Sequence, residues 1–319
     1  GIVEQQGTQN PEEDETTCRT LTTEDLISEE LLLPQPEETQ QTALIPESVE
    51  TTAGTALSNF RPAVQQVQID RTQLADYETL VRNFYAIDAN TMAGSDQLSV
   101  EKLLGMDMTL PQEGDGPQIL IYHTHSQEAF ADSVPGDVNT GIVGVGECLT
   151  KILTEQYGYR VLHNTGQYDV ETRDNAYSRA LPAVEQILAE NPSIQVIIDL
   201  HRDEVAEETK LVTDIQGRPT ARFMFFNGLS RTRKTGDIDY LANENQEANL
   251  AFSFQMQLKA AEYYPGLTRR IYLKGYRYNM HLRPRTLLVE LGAQNNTVEE
   301  AINACDPLAH ILDMVLKGE

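Results

Sequence analysis

Histidine is scarce in this chain: six residues in 319. Cysteine is scarcer, with only Cys18, Cys148 and Cys305, and no CxxC pair among them. That spacing excludes a disulfide framework and a cysteine-ligated zinc site. Cysteine scarcity fits a reducing and an oxidising compartment equally. Basic residues number 24 against 49 acidic ones, a formal net charge of −25. This balance argues against a nucleic-acid partner and weakens attraction to anionic lipid. No apolar run approaches the roughly 20 residues that cross a bilayer, and no signal peptide is visible. The sequence opens on Gly1, which is compatible with a leader or anchor upstream of it.

About half of the negative charge lies in residues 1–60. That segment holds thirteen Asp or Glu, one basic residue (Arg19) and one aromatic (Phe60). It cannot bury enough apolar surface to offset its ordering entropy, so it reads as a disordered, acidic tether. Residues 61–110 read as a lead-in of short helices. "RTQLADYETLVRNFYAI" puts Leu74, Tyr77, Leu80 and Val81 at helical spacing. "SVEKLLGMDM" predicts a second helix, with Ser99 as N-cap and Glu101 in its first turn. The turn-rich "LPQEGDGPQ" marks a boundary, and the compact domain is expected over 111–319.

From residue 118 strands and helices alternate. "QILIY" is apolar throughout, as a strand covered on both faces would be. A helix over 139–157 follows, with Ile142, Val145, Leu149, Ile152 and Leu153 on one side. "GYRVLHN" is a strand. "DNAYSRALPAVEQILAEN" is a helix bent or restarted near Pro182. "IQVIIDLH" and "TARFMFFNG" are strands, and "NENQEANLAFSFQMQLKAAEYY" is a long helix. "IYLKGYRYN" and "TLLVELG" are further strands, before a C-terminal helix over 298–316. The alternation predicts an α/β domain with a mainly parallel central sheet, helices on both faces.

Ligands of open α/β sheets bind beyond the carboxyl ends of the strands. Three predicted strands end in metal- or proton-handling residues. In "QILIYHTHSQE" the apolar run is followed by His123, His125 and Glu128. "VIIDLHRD" ends in His201 and Asp203, and "TLLVELG" carries Glu290. Two imidazoles and a carboxylate with one open position make a catalytic zinc site. A further carboxylate off the metal would serve as general base. The inventory therefore predicts His125 and His201 as ligands, Glu128 as third ligand and Glu290 as base. His123 and His125 share a face in an extended chain, so either could be the ligand. Glu290 could instead be a buried carboxylate paired with Arg283 or Arg285.

At these residues the chain resembles the sporulation stage II protein P family of endospore-forming bacteria. That family is related to the zinc-dependent N-acetylmuramoyl-L-alanine amidases of the amidase-3 type. The resemblance rests on "SVEKLLGMDM", "QILIYHTHSQEAF", "IIDLHRD", "YNMHLRPRTLLVELG" and "NNTVEEA", in that order. It implies an amidase-3-like fold. The amidase pattern has a strand ending Asp-Pro-Gly-His, one ending Ser-x-His-x-Asn, and a last strand reading Glu-x-Gly-Phe-x-x-Asn. Its zinc histidines fall on His125 and His201, and its catalytic glutamate on Glu290, followed by Gly292 and Asn295. His123 becomes a neighbour that shapes the site. The pattern's third ligand falls near Asn139, a poor zinc donor. Glu128 is the expected substitute, with Asp137 and Glu147 as alternatives.

The resemblance implies a peptidoglycan hydrolase that cleaves the amide between N-acetylmuramic acid and the stem peptide, and also peptide cross-links. It implies a role in forespore engulfment, with a lytic transglycosylase (stage II protein D) and a membrane scaffold (stage II protein M). It implies an extracytoplasmic enzyme held by an N-terminal membrane anchor. Other residues invite a reading. Arg231, Arg233 and Lys234 could bind stem-peptide carboxylates or form a solvated loop. Tyr276, Tyr278 and His281 could line a glycan groove or pack in the sheet. Arg202 and Asp203 could orient the metal ligands or make a surface salt bridge, and Arg202 is also expected to contact substrate. A wall-binding module without turnover, and a metallopeptidase cutting only peptide bonds, are the competing functional classes.

Overall fold

The computed structural model describes residues 59–319. The acidic tether expected over 1–60 lies outside the described residues, save for Asn59 and Phe60, and so does Cys18.

The chain forms α1 (Tyr77–Phe84), β1 (Tyr85–Ile87), α2 (Val100–Gly105), β2 (Ile119–Tyr122), α3 (Ile142–Glu155), β3 (Val161–His163), α4 (Ala176–Glu190) and β4 (Val196–Asp203). The hairpin β5 (Val212–Ile215) and β6 (Arg218–Ala221) comes next, then β7 (Phe223–Gly228). A second hairpin pairs β8 (Arg231–Thr232) with β9 (Gly236–Asp237). The chain closes with α5 (Gln246–Tyr263), β10 (Ile271–Lys274), β11 (Thr286–Ala293) and α6 (Val298–Lys317).

Seven strands make the central sheet, in the order β1-β10-β7-β11-β4-β2-β3. Every neighbouring pair is parallel except β7 and β11. The sheet is mainly parallel, as the alternation predicts. It consists of two parallel blocks running in opposite directions.

Period-two alternation assigns the faces. Ile119 and Ile121 of β2, Val196, Ile198 and Leu200 of β4, and Leu287, Val289 and Leu291 of β11 face the core shared with α3, α5 and α6. Leu120, Tyr122 and Ile197 face α4, through Ala180, Val184 and Leu188. Helices therefore cover both faces. Pro182 sits inside a continuous α4, where a bend or a fresh start was expected; the helix does not restart. Proline removes one backbone bond of the helix, but the apolar stripe of α4 on the sheet is uninterrupted.

Three other expectations change. Tyr85–Ile87, read as helical, is β1 and pairs with β10. Its residues are β-branched or aromatic at two of three positions, which suits a strand. The segment 61–110 thus joins the main sheet. Leu110 N donates to Leu316 O at 2.8 Å, tying it to α6. "TARFMFFNG" divides between β6 and β7, and β6 belongs to a hairpin that the sequence reading passes over. The turn of that hairpin is Gln216-Gly217, both with positive φ (58° and 77°), the geometry that two-residue hairpin loops need. Among the described residues no helix is long and apolar enough to cross a membrane.

Candidate active site

β2, β4 and β11 are neighbours in the sheet, and all three run the same way. In register, Glu290 of β11 lies beside His201 of β4. His201 shares a strand face with Ile197, which packs under α4. His125 follows β2 in the adjoining loop. Its ring centroid is 5.4 Å from that of His201. Both histidines are buried, as are Glu128 and Glu290.

Each member has a distinct electrostatic setting. Burial holds the His125 imidazole below its usual pKa, against the pull of Asp169. Its Nδ1 lies 3.6 Å from Asp169 Oδ2, and both its ring nitrogens are buried without a hydrogen bond. Burial alone would lower His201, but the carboxylates of Asp199 and Glu128 raise it well above the imidazole range. Its Nε2 is 2.8 Å from Asp199 Oδ1, close as an ion pair though off the line of a hydrogen bond. Its Nδ1 is 3.6 Å from Glu128 Oε2.

Burial works against the charge on Glu128, but His201, Arg173 and Arg202 hold its carboxyl well below the usual range. Arg173 donates to Oε1 at 2.9 Å and the Arg202 main-chain N–H to Oε2 at 2.8 Å. Glu290 is the opposite case. Burial, then the neighbouring Asp203, push it well above the usual carboxylate range. Its Oε2 is buried with no hydrogen-bond partner. Arg283 and Arg285 donate to backbone carbonyls instead, those of Ile194, Leu282, Met108 and Thr109.

Beyond Glu290 the strand register shifts before Ala293. Gly292 has φ +63° there, and a Cβ on it would come within 2.9 Å of Asn296 Oδ1. Glycine is the residue that tolerates both conditions.

Of the residues weighed as third ligand, only Glu128 reaches the histidine pair. Asp137 caps a 3-10 turn at Val138–Thr140 on the surface. Glu147 is exposed on α3 and bonds His163 Nδ1 at 2.9 Å. His123 is directed toward α3, on the side of the sheet away from His201. Its Nδ1 donates to Leu200 O at 2.8 Å, and its Nε2 is 2.9 Å from His163 Nε2. Burial lowers His123 to about 4, which keeps it neutral.

The expected substrate contacts are placed as follows. Arg202 bonds Ala129 O at 3.0 Å through Nε and so braces the Glu128 loop. Tyr278 is only 2% exposed and packs on Tyr177 and Phe226, a correction to its expected place along an open groove. Tyr177 is the ring that touches His125 and stacks parallel to His201. His281 is half-buried, and burial and then Arg277 lower it to about 4. Asp203 makes a buried ion pair with Arg269 at 2.7 Å, not a surface one.

Four residues of the site went unread in the sequence: Asp169, Arg173, Tyr177 and Asp199. The first three come from the β3–α4 connection and the start of α4, where no local pattern marks them. Asp199 carried a signal: an aspartate in an otherwise apolar strand, two residues before His201 and hence on its face.

Two imidazoles and a carboxylate are a donor set that suits zinc, and both ring nitrogens of buried His125 are without a hydrogen bond. Asp199 and Asp169 sit behind the two rings, as outer carboxylates do behind metal-bound histidines. Among the described residues no three His, Cys, Asp or Glu side chains already converge as a metal site. Glu128 is the member whose oxygens are already bonded, by Arg173 and the Arg202 main chain.

Residues 20–313 match the family model described as Stage II sporulation protein P (SpoIIP). The Stage II sporulation protein P of Bacillus subtilis (strain 168) is 26% identical over 217 residues, 62% of this chain and 51% of that protein. The match thus spans about half of that relative's length. Solved structures with similarity include the N-acetylmuramyl-L-alanine amidase Ami1 from Mycobacterium smegmatis, 13% identical, with 65% of this chain and 100% of that chain covered at a TM-score of 0.39. A metallo-carboxypeptidase from Burkholderia cenocepacia is 9% identical, with 66% and 60% covered at 0.38. These TM-scores are too low to carry an argument about this chain.

Proposed function

This chain belongs to the stage II sporulation protein P family, and from that premise we propose that it is a metal-dependent hydrolase of cell-wall peptidoglycan. The bond we assign is the amide between N-acetylmuramic acid and the stem peptide, with peptide cross-links as a second target. The observation that carries this reading is the placement of His125, Glu128, His201 and Glu290 around the carboxyl ends of three adjacent strands, with Glu128 Oε2 3.6 Å from His201 Nδ1.

His125 and His201 would hold the metal, with Glu128 as the third donor. Zinc, when bound, supplies Lewis acidity, polarising the amide carbonyl and acidifying water toward a pKa of about 7. Glu290 takes up the proton of the attacking water. Its buried setting raises its proton affinity above that of an ordinary carboxylate, which favours proton uptake. The same carboxyl then delivers that proton to the leaving amine. Arg173 holds Glu128 and feels the charge of Glu290, so it balances two carboxylates in a buried site. Asp199 orients the His201 ring from behind.

In this proposal the protein acts in forespore engulfment, outside the cytoplasm and held by an N-terminal membrane segment. A lytic transglycosylase (stage II protein D) and a membrane scaffold (stage II protein M) would be its partners. One observation favours a second reading, a wall-binding module without turnover: Glu128 is engaged by Arg173 and Arg202.

Elemental analysis and product masses from purified peptidoglycan separate the two. We expect one zinc per wild-type chain, lost in His125→Ala and His201→Ala. We expect free stem peptides from wild type and none from Glu290→Gln, which keeps its zinc. A wild-type protein that takes up no metal and releases nothing would establish the second reading.

A further inference from the structure

The sheet has carboxyl strand ends at both of its ends, because β7 runs antiparallel to β11. The β2, β4 and β11 ends carry the site described above. β1, β10 and β7 are parallel to one another and end at the opposite side of the sheet. Ligands of such sheets bind beyond carboxyl ends, so the second set merits the same scrutiny.

All three loops leaving those ends line one groove of about 920 Å³. They are residues 88–91 after β1, 232–240 in and beyond the hairpin after β7, and 274–276 after β10. That volume lies in the range of small-molecule sites, roughly 300–1,000 Å³. Backbone bonds stitch the loops into a single floor. Arg233 N donates to Asn90 O, Arg231 N to Gly275 O and Asp88 N to Leu273 O, each at 2.8–3.0 Å. Arg233 Nε adds a bond to Thr91 O at 3.2 Å.

The lining narrows the ligand. Its exposed positive groups are Arg233 and Lys234, Lys274 being buried, and its negative groups are Asp88, Asp237 and Asp239. Three aspartates would repel a polyanion or an anionic lipid surface. Cations and carboxylates side by side suit a zwitterion, with carboxylates on one side and an amine on the other. Tyr240 is 58% exposed at the rim, a ring face on which a sugar can lie.

We propose that this groove is a second, non-catalytic peptidoglycan site. It takes a short stem peptide bearing both carboxylates and a free amine, with the attached sugar against Tyr240. The proposal rests on the reading of peptidoglycan as substrate. One end of the sheet then holds the wall while the other end cuts it, so the groove acts on polymer affinity and not on the chemical step. It also gives Arg233 and Lys234 of the basic cluster a part distinct from the metal site.

The test is amide NMR on the Glu290→Gln protein titrated with a soluble, diaminopimelate-containing disaccharide tetrapeptide. We expect saturable shifts in 88–91, 232–240 and 274–276, and a dissociation constant at those signals raised tenfold or more by Lys234→Glu and by Tyr240→Ala. Thermal melts of both variants check that the fold is kept. Shifts confined to the loops of His125 and His201 would overturn the proposal, as would groove signals unmoved by either substitution. Groove shifts in a protein whose wild type releases no product would leave the groove standing and remove the hydrolase reading. Product release without groove shifts would do the reverse.

Discussion

Asp199 serves two strands at once. Its Oδ1 and Oδ2 accept from Thr124 N–H (3.0 Å) and Thr124 Oγ1–H (2.7 Å), fixing the loop that carries His125. The same carboxylate faces His201 Nε2. Burial would push Asp199 up, but His201 and Thr124 outweigh it and hold it below its usual range. We expect Asp199→Asn to weaken metal retention about ten- to a hundredfold and to lower the melting temperature, as the loss of one partner of a buried pair does. Competition with a chelator measures this, and unchanged retention would reject the orienting role. The Asp203–Arg269 pair is a stability feature of the same neighbourhood. Removing one partner of a buried pair costs about 3–5 kcal/mol, whereas replacing both with apolar residues is often neutral. Arg269→Met alone should therefore lower the denaturation midpoint strongly, and Asp203→Leu with Arg269→Met should restore most of it.

At the scale of elements, α6 shows how a helix end is written locally. Thr297 Oγ1 accepts from Glu300 N–H at 3.2 Å, and Glu300 Oε2 accepts from Thr297 N–H at 3.0 Å. This reciprocal cap sits in "NNTVEEA". Burial would raise Glu300, but bonds from Lys210, Asn296 and Thr297 hold it below its usual value. A carboxylate lowered on folding contributes stability above its unfolded pKa of about 4.3. That contribution is lost as pH falls through the folded value. Glu300→Gln should thus cost roughly 0.3–1.5 kcal/mol at pH 7, and the gap from wild type should close below pH 4. Melting curves across pH test this; a gap that widens in acid would refute it. The strands were legible in the same local way. "QILIY", "IQVIIDLH" and "TLLVELG" are buried on both faces, and apolar runs announce that. β1 was not legible, because three residues at a helix end carry too little pattern to stand against the helical spacing before them.

For the whole molecule, residues 59–110 supply the edge strand β1 and part of the core. Leu74, Leu80, Phe84, Tyr85, Leu98, Leu103 and Met108 belong to the main core, and Gln255 bonds the carbonyls of Leu103 and Met106 at 2.9 Å. A chain starting at 111 would uncover β10 as an edge strand, with its unpaired backbone groups open to aggregation. We expect residues 59–319 to melt cooperatively as a soluble protein and residues 111–319 to aggregate or melt without cooperativity. A cooperative, soluble 111–319 would disprove this.

The sequence by itself determined which residues end strands, and so brought forward His125, His201 and Glu290. Periodicity and composition are local, and they encode burial, capping and the face a residue takes. Strand order and direction are not local: they depend on how each crossover packs back onto the sheet. Only the tertiary structure decided that β2, β4 and β11 adjoin, that His123 turns away, and that Asp169, Arg173 and Tyr177 close over the histidines. It alone set β7 against β11, which gives the sheet carboxyl ends on two sides.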